Sequence, residues 1–124
     1  MIYLDTHAVV WLYAGEVGRF TTGGRRLLER EELLVSPMVA LELEFLEETG
    51  RITVGARVII EALTQALGLT VCDLPFAQVI SETLTQVWTR DPFDRILVAQ
   101  AACRGLPLLT KDKVIRAHYP RAVW

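Results

Sequence analysis

The sequence predicts an α/β fold in a single domain spanning residues 1–124, with a short parallel β-sheet of about four to five strands flanked by helices on both faces. Three observations carry this. Short apolar runs alternate along the chain with stretches of helical period, and that alternation implies right-handed crossovers and a parallel sheet. The helical stretches are punctuated by N-terminal cap residues, Pro at first positions and Gly at their ends. A length of 124 residues with 52% apolar content leaves no room for a second domain, yet it suffices to bury a core without disulfide or structural zinc.

Residues 1–5, M-I-Y-L-D, read as a buried strand ending on Asp5, and residues 6–15 carry Ala, Val, Trp, Leu and Tyr in a helical run stopped by Gly15. A charged helix is expected from Arg25 to Glu32, after Thr and Gly turn residues. L-L-V at 33–35 is the second strand. Ser36 and Pro37 then cap and open a helix that runs to about Thr49. Residues 56–67 form a further helix ended by Gly68, L-T-V-C at 69–72 is a third strand, and Pro75 opens a helix to about Trp88. Asp91 and Pro92 start the next helix, L-L-T at 108–110 is the fourth strand, and a short helical turn from Lys111 leads to a terminal strand near Val123.

Cys72 and Cys103 stand alone in apolar surroundings, which fits buried free thiols and a cytoplasmic protein. No apolar run approaches the ~18 residues of a membrane span. The formal net charge of −2 argues against a nucleic-acid partner unless acids are gathered in one place. Eleven of the 13 basic residues are Arg, the side chain suited to bidentate contact with phosphate.

In parallel sheets ligands bind beyond the carboxyl ends of the strands, at a topological switch point. Asp5 ends the first strand there, Asp112 follows the fourth, and Asp94 sits in the first turn of a helix. An Asp in such a place also serves as an ordinary helix cap. Within the helix from Pro37, at ~100° per residue, Glu42 falls within about 60° of Met38, Val39, Phe45 and Leu46, at the centre of the apolar stripe, while Glu44 points toward water. A carboxylate on an apolar stripe is costly unless paired or metal-bound; the alternative is a rim residue reaching solvent. Asp94 likewise lies within about 60° of Leu97, Val98 and Ala101, and Asp91 has the spacing of a cap. Three Asp and one Glu on one sheet edge, without paired His or Cys, point to Mg²⁺ or Mn²⁺ and to phosphodiester hydrolysis by a metal-activated water. Thr6, Ser36 and Thr110 offer hydroxyls beside these acids, to orient water or carboxylate or simply to cap.

L-D-T-H at 4–7, S-P-M-V-A-L-E-L at 36–43, R-D-P-F-D-R-I-L-V-A-Q-A at 90–101 and L-L-T-K-D at 108–112, in this order, resemble the PIN-domain ribonucleases, and closely the VapC-type toxins of toxin–antitoxin pairs. The resemblance implies a Mg²⁺- or Mn²⁺-dependent endoribonuclease with its acidic quartet on Asp5, Glu42, Asp94 and Asp112. It also implies a homodimer and inhibition by a VapB-type antitoxin that packs along a groove of the toxin. Setting aside the quartet leaves 11 acidic against 13 basic residues. Arg90, Arg95, Arg104 and Arg116 are then candidates to contact RNA phosphates, with plain surface solubility as the alternative role of each.

His7 reads as structural or as a substrate contact. Trp11, Leu12 and Tyr13 read as core with some surface for a partner. Two rival functions remain. A receiver-type phospho-acceptor domain would use Asp73 after the third strand as its acceptor, but it leaves Glu42 without a role. A non-catalytic binding domain would use all the acids as caps.

Overall fold

Five strands, β1 (Ile2–Leu4), β2 (Leu33–Val35), β3 (Thr70–Val71), β4 (Leu108–Leu109) and β5 (Ala122–Val123), pair in parallel in the computed structural model, which describes residues 1–124. Their order is β3-β2-β1-β4-β5. The chain steps outward from β1 to β2 to β3, then crosses back to place β4 on the other side of β1, so the switch point lies between β1 and β4. Every residue of β1 and β2 is buried, as required of strands covered on both faces.

The helices are α1 (Thr6–Tyr13), α2 (Thr22–Arg30), α3 (Pro37–Glu48), α4 (Ala56–Leu67), α5 (Phe76–Thr83), α6 (Pro92–Arg104) and α7 (Lys113–His118). Their starts follow the cap chemistry. Ser36, Asp91 and Asp112 each accept hydrogen bonds from backbone N–H groups one or two residues into the helix they open. Gly68 and Gly105 end α4 and α6 in the left-handed conformation, at φ 70° and 61°, where a side chain would be strained.

Four expectations need correction. The charged helix begins at Thr22, not Arg25, because Thr21 caps it through Gly24 N–H at 3.0 Å. Gly24 is thereby buried in the first turn, where a Cβ would stand 3.5 Å from Leu109 and from the backbone of Trp124. The helix from Pro75 stops at Thr83, five residues early. The hydroxyls of Thr83 and Thr85 bond back to the Ile80 and Glu82 carbonyls at 2.6 and 2.8 Å, offering the backbone an alternative to further helix. Trp88 belongs instead to a turn, its ring stacked on His118 with centroids 5.0 Å apart. Cys72 is buried, but Cys103 is only half-buried.

The fourth correction concerns α3. Its buried residues are Val39 and Leu43, so the apolar stripe is centred there, with Glu42 at its margin and Phe45 exposed. Glu44 is not turned to water: its carboxylate accepts from Ala56 N–H at 2.7 Å and caps α4, whose own cap position, Gly55, has no side chain to do so. A Cβ at Gly55 would lie 2.5 Å from Glu44 Oε1 and 2.7 Å from Glu47 Oε2, so a larger residue there would displace these carboxylates and with them the cap of α4. α3 also packs directly on α6, which sets the margin of one helix against the N-terminal turn of the other. No helix is long and apolar enough to cross a membrane.

Candidate active site

The switch point between β1 and β4 is built by three residues bound to one another. Asp5, 5% exposed, ends β1 and caps α1 by accepting from Ala8 N–H at 2.8 Å. Its second oxygen accepts from the hydroxyl of Thr110, which follows β4. The same hydroxyl oxygen accepts from Asp112 N–H at 3.1 Å, so Thr110 joins the ends of the two central strands. Asp112, exposed, caps α7 through Val114 and Ile115 N–H at 2.8 and 3.0 Å, using one carboxylate oxygen and leaving the other free.

Two helices bring the remaining acids. Thr6, next after Asp5, donates to Glu42 and holds this half-buried carboxylate toward the cleft. Ser36 caps α3 at 3.1 Å from Met38 N–H and donates to Gln100 of α6 at 3.0 Å within the core, pinning the helix of Glu42 to the helix of Asp94. The other amide atom, Gln100 Nε2, is buried without a partner, so the pin carries an energetic cost. Asp94 is half-buried above Leu97 and Val98, and Asp91 sits outside it as the exposed cap of α6.

Asp5, Glu42, Asp94 and Asp112 line one cleft of about 300 Å³, with Thr6, His7, Trp11, Leu97, Lys111 and Ile115. A larger groove of about 740 Å³ lies between α3 and α4, but it lacks this convergence of acids and is more apolar. Burial pushes the Asp94 carboxyl up to about 6, assisted by the negative charges of Asp91, Asp112, Glu42 and Asp5. Burial also raises Asp5, against the Thr110 hydroxyl and Ala8 N–H that favour its charged form. Such mutual repulsion is what a divalent cation relieves, and carboxylate oxygens are the donors Mg²⁺ and Mn²⁺ prefer. As they stand, no three of these side chains close on one point. The donor chemistry fits a hard cation, with side-chain movement left to complete the cage.

Three of the acids, Asp5, Asp91 and Asp112, do act as caps, as a purely structural reading requires. Glu42 and Asp94 cap nothing, and that reading leaves them unexplained. Asp73 is exposed beyond β3, an edge strand two places from β1, and does not line the cleft; a receiver-type acceptor role is thereby excluded. None of the four candidate arginines lines the cleft either. Arg90 and Arg116 are exposed, Arg95 donates to the Thr89 carbonyl, and Arg104 lies beside Met1, at the amino end of the sheet. Trp11 and Lys111 were missed as cleft residues. The signals were present: Trp11 is four residues from His7, hence on the same face of α1, and Lys111 directly precedes Asp112.

Because Thr110 is fully buried and serves both Asp5 and Asp112, Thr110→Val is expected to destabilise the protein by about 1–3 kcal/mol, the range for leaving buried hydrogen-bonding groups unsatisfied. Urea denaturation at pH 7 measures this, and Thr110→Ser should recover most of the loss. Equal midpoints for Val and wild type would show that the hydroxyl is dispensable.

The PIN domain family model matches residues 2–119. Ribonuclease VapC22 of Mycobacterium tuberculosis is 30% identical over 126 aligned residues, covering 98% of this chain and 95% of that protein. Among solved structures, a toxin–antitoxin complex from Klebsiella pneumoniae superposes with a TM-score of 0.68 at 16% identity, covering 100% of this chain and 97% of the other. VapBC2 from Rickettsia felis, bound to a DNA fragment from its promoter, gives 0.66 at 15% identity with 99% and 96% covered. At such identities these structures speak to the fold alone. The fold, the near-complete match to the family model and the VapC relative agree: this chain belongs to the PIN domain family.

Proposed function

We propose that the protein is a Mg²⁺- or Mn²⁺-dependent endoribonuclease of the VapC type, and that Asp5, Glu42, Asp94 and Asp112 form its catalytic and metal-binding quartet. The observation that carries this reading is their placement: acids from four separate elements line one cleft at the switch point, and two of them, Glu42 and Asp94, cap no helix. The VapC relative, named a ribonuclease, supports the activity. The resemblance of the fold to toxins solved in toxin–antitoxin complexes supports a VapB-type antitoxin as partner. A homodimer is the assembly that the same kinship suggests.

Asp5, Glu42, Asp94 and Asp112 would hold a divalent cation here, which when bound would supply positive charge beside the phosphate and lower the pKa of a water nucleophile. The chain's own residues set the conditions for that. Thr110 and Ala8 N–H fix both oxygens of Asp5 in direction, so Asp5 is the fixed member of the set and the movement that completes the site falls to the other acids. Thr6 holds one oxygen of Glu42. Asp94, its carboxyl pushed up to about 6, is an acid whose charge changes close to neutral pH.

The test uses purified protein free of antitoxin, mixed with a panel of structured RNAs with Mg²⁺ or with EDTA, beside Asp5→Asn. Cleavage is expected with Mg²⁺ and wild type only. Cleavage that persists in EDTA, or that the variant retains, overturns the mechanism.

A further inference from the structure

One wall of the acidic cleft is aromatic and cationic, and it takes no part in holding the carboxylates. Trp11 forms it, on the cleft side of α1, and lies 5.8 Å from the His7 ring. Phe20 and Trp124 stand edge-on to Trp11, with centroids at 6.2 and 5.5 Å, so the indole is held from behind. Two cations lie over that indole: the Arg19 guanidinium at 5.2 Å from the centroid and the Lys111 ammonium at 5.7 Å.

Lys111 is the one Lys or Arg among the residues lining the cleft. It follows Thr110 and precedes Asp112, yet it forms no ion pair with any carboxylate. The ring holds its charge beside the acids without spending it on them. Arg19 pairs with Glu16 through Nε alone, at an exposed position where such a pair is weak, and its two terminal amino groups are unpaired. An RNA strand entering an acidic cleft is repelled at every phosphate except the one a bound cation neutralises. The neighbouring phosphate needs a cation of the protein, and two stand ready at the edge of the site.

We propose that Lys111 and Arg19, held on Trp11, form a binding subsite for a backbone phosphate of single-stranded RNA next to the phosphate that is cut. The inference rests on the nuclease reading of the cleft. Single-stranded RNA is the class that fits because an indole beside paired cations serves an unpaired nucleotide, whereas duplex bases are hidden from it.

The test reads binding apart from cleavage. A labelled single-stranded oligoribonucleotide is titrated into an Asp94→Asn protein over a range of salt, alone and with Lys111→Gln, Arg19→Gln or both added. Each change is expected to raise Kd several-fold at low salt and to reduce the slope of log Kd against log salt by part of about 0.7, the value for one phosphate neutralised on a single strand. The doubled variant, in which that phosphate has no protein cation left, should lose the full amount of about 0.7. Arg104→Gln, at the far end of the sheet, should leave the slope unchanged, and melting temperatures of these exposed variants should match their parent. In the cleaving protein Lys111→Gln should raise KM and spare kcat. RNA that binds with an unaltered slope in the double variant overturns the subsite while leaving the nuclease reading intact. Absence of RNA binding by the parent overturns both, and a stronger preference for duplex overturns the single-strand assignment.

Discussion

Asp94→Asn is expected to lower RNA cleavage by about two to three orders of magnitude, the scale of losing one preorganised group that stabilises charge in the transition state. In the metal-free protein the same change should increase stability at pH 7.5. The reason is the sign of the shift. The Asp94 carboxyl is pushed up to about 6 from an ordinary value of 3.8, by burial and by four neighbouring acids. In that window the folded state holds a proton that the unfolded state has released, so stability falls as pH rises from about 4 through 6 and the deficit is complete above it. Asparagine keeps the shape and abolishes the charge. Since Asp94 is only half-buried, solvent screening reduces the gain to about 1 kcal/mol. Urea denaturation in EDTA at pH 7.5 and pH 4.5 measures it: the variant's advantage should shrink at the lower pH. An advantage independent of pH would mean that the charge of Asp94 is not its source.

Manganese should reverse that deficit. At a free concentration 100 times its Kd, Mn²⁺ is expected to stabilise the folded protein by about 2.7 kcal/mol. For a domain of this size that amounts to a rise in Tm on the order of 10 °C. The cation competes with the proton on Asp94, so the shift at a fixed Mn²⁺ concentration should diminish as pH falls through about 6. It should also diminish in Asp5→Asn and Asp94→Asn. Thermal melts with Mn²⁺, Mg²⁺ and EDTA, at pH 5.5 and pH 7.5, provide the measurement. A shift of equal size in both variants would place the ion elsewhere on the protein.

Individual residues show where sequence reasoning succeeds and where it stops. Asp5, Asp91, Ser36 and Asp112 are legible as caps because capping is a contact between a side chain and a backbone N–H two or three residues on. Glu42 is legible as an acid in an unusual place because helical period alone brings it near an apolar face. Its true setting, at the margin of the stripe and bonded to Thr6, depends on a residue 36 positions away. Glu44 looks solvated from its own helix for the same reason, since the N–H it caps belongs to the next helix. The candidate arginines came from charge type without position. The cations that do border the cleft, Lys111 on its lining and Arg19 on Trp11, are placed by the fold of the first helix against the end of β4.

By itself, the sequence determined the order of elements, most of their starts, the parallel class of the sheet, and the presence of acids after the strands and on the helices beside them. These follow from interactions among near neighbours in the chain: caps, helical period and the backbone limits of Pro and Gly. Only the tertiary structure decided the strand order, which seats Asp5 beside Thr110 at the switch point, and the contact of α3 with α6, which sets Glu42 by Asp94. It alone decided the raised pKa of Asp94, because desolvation and repulsion depend on distances through space, and those exist only once the separate elements share a core.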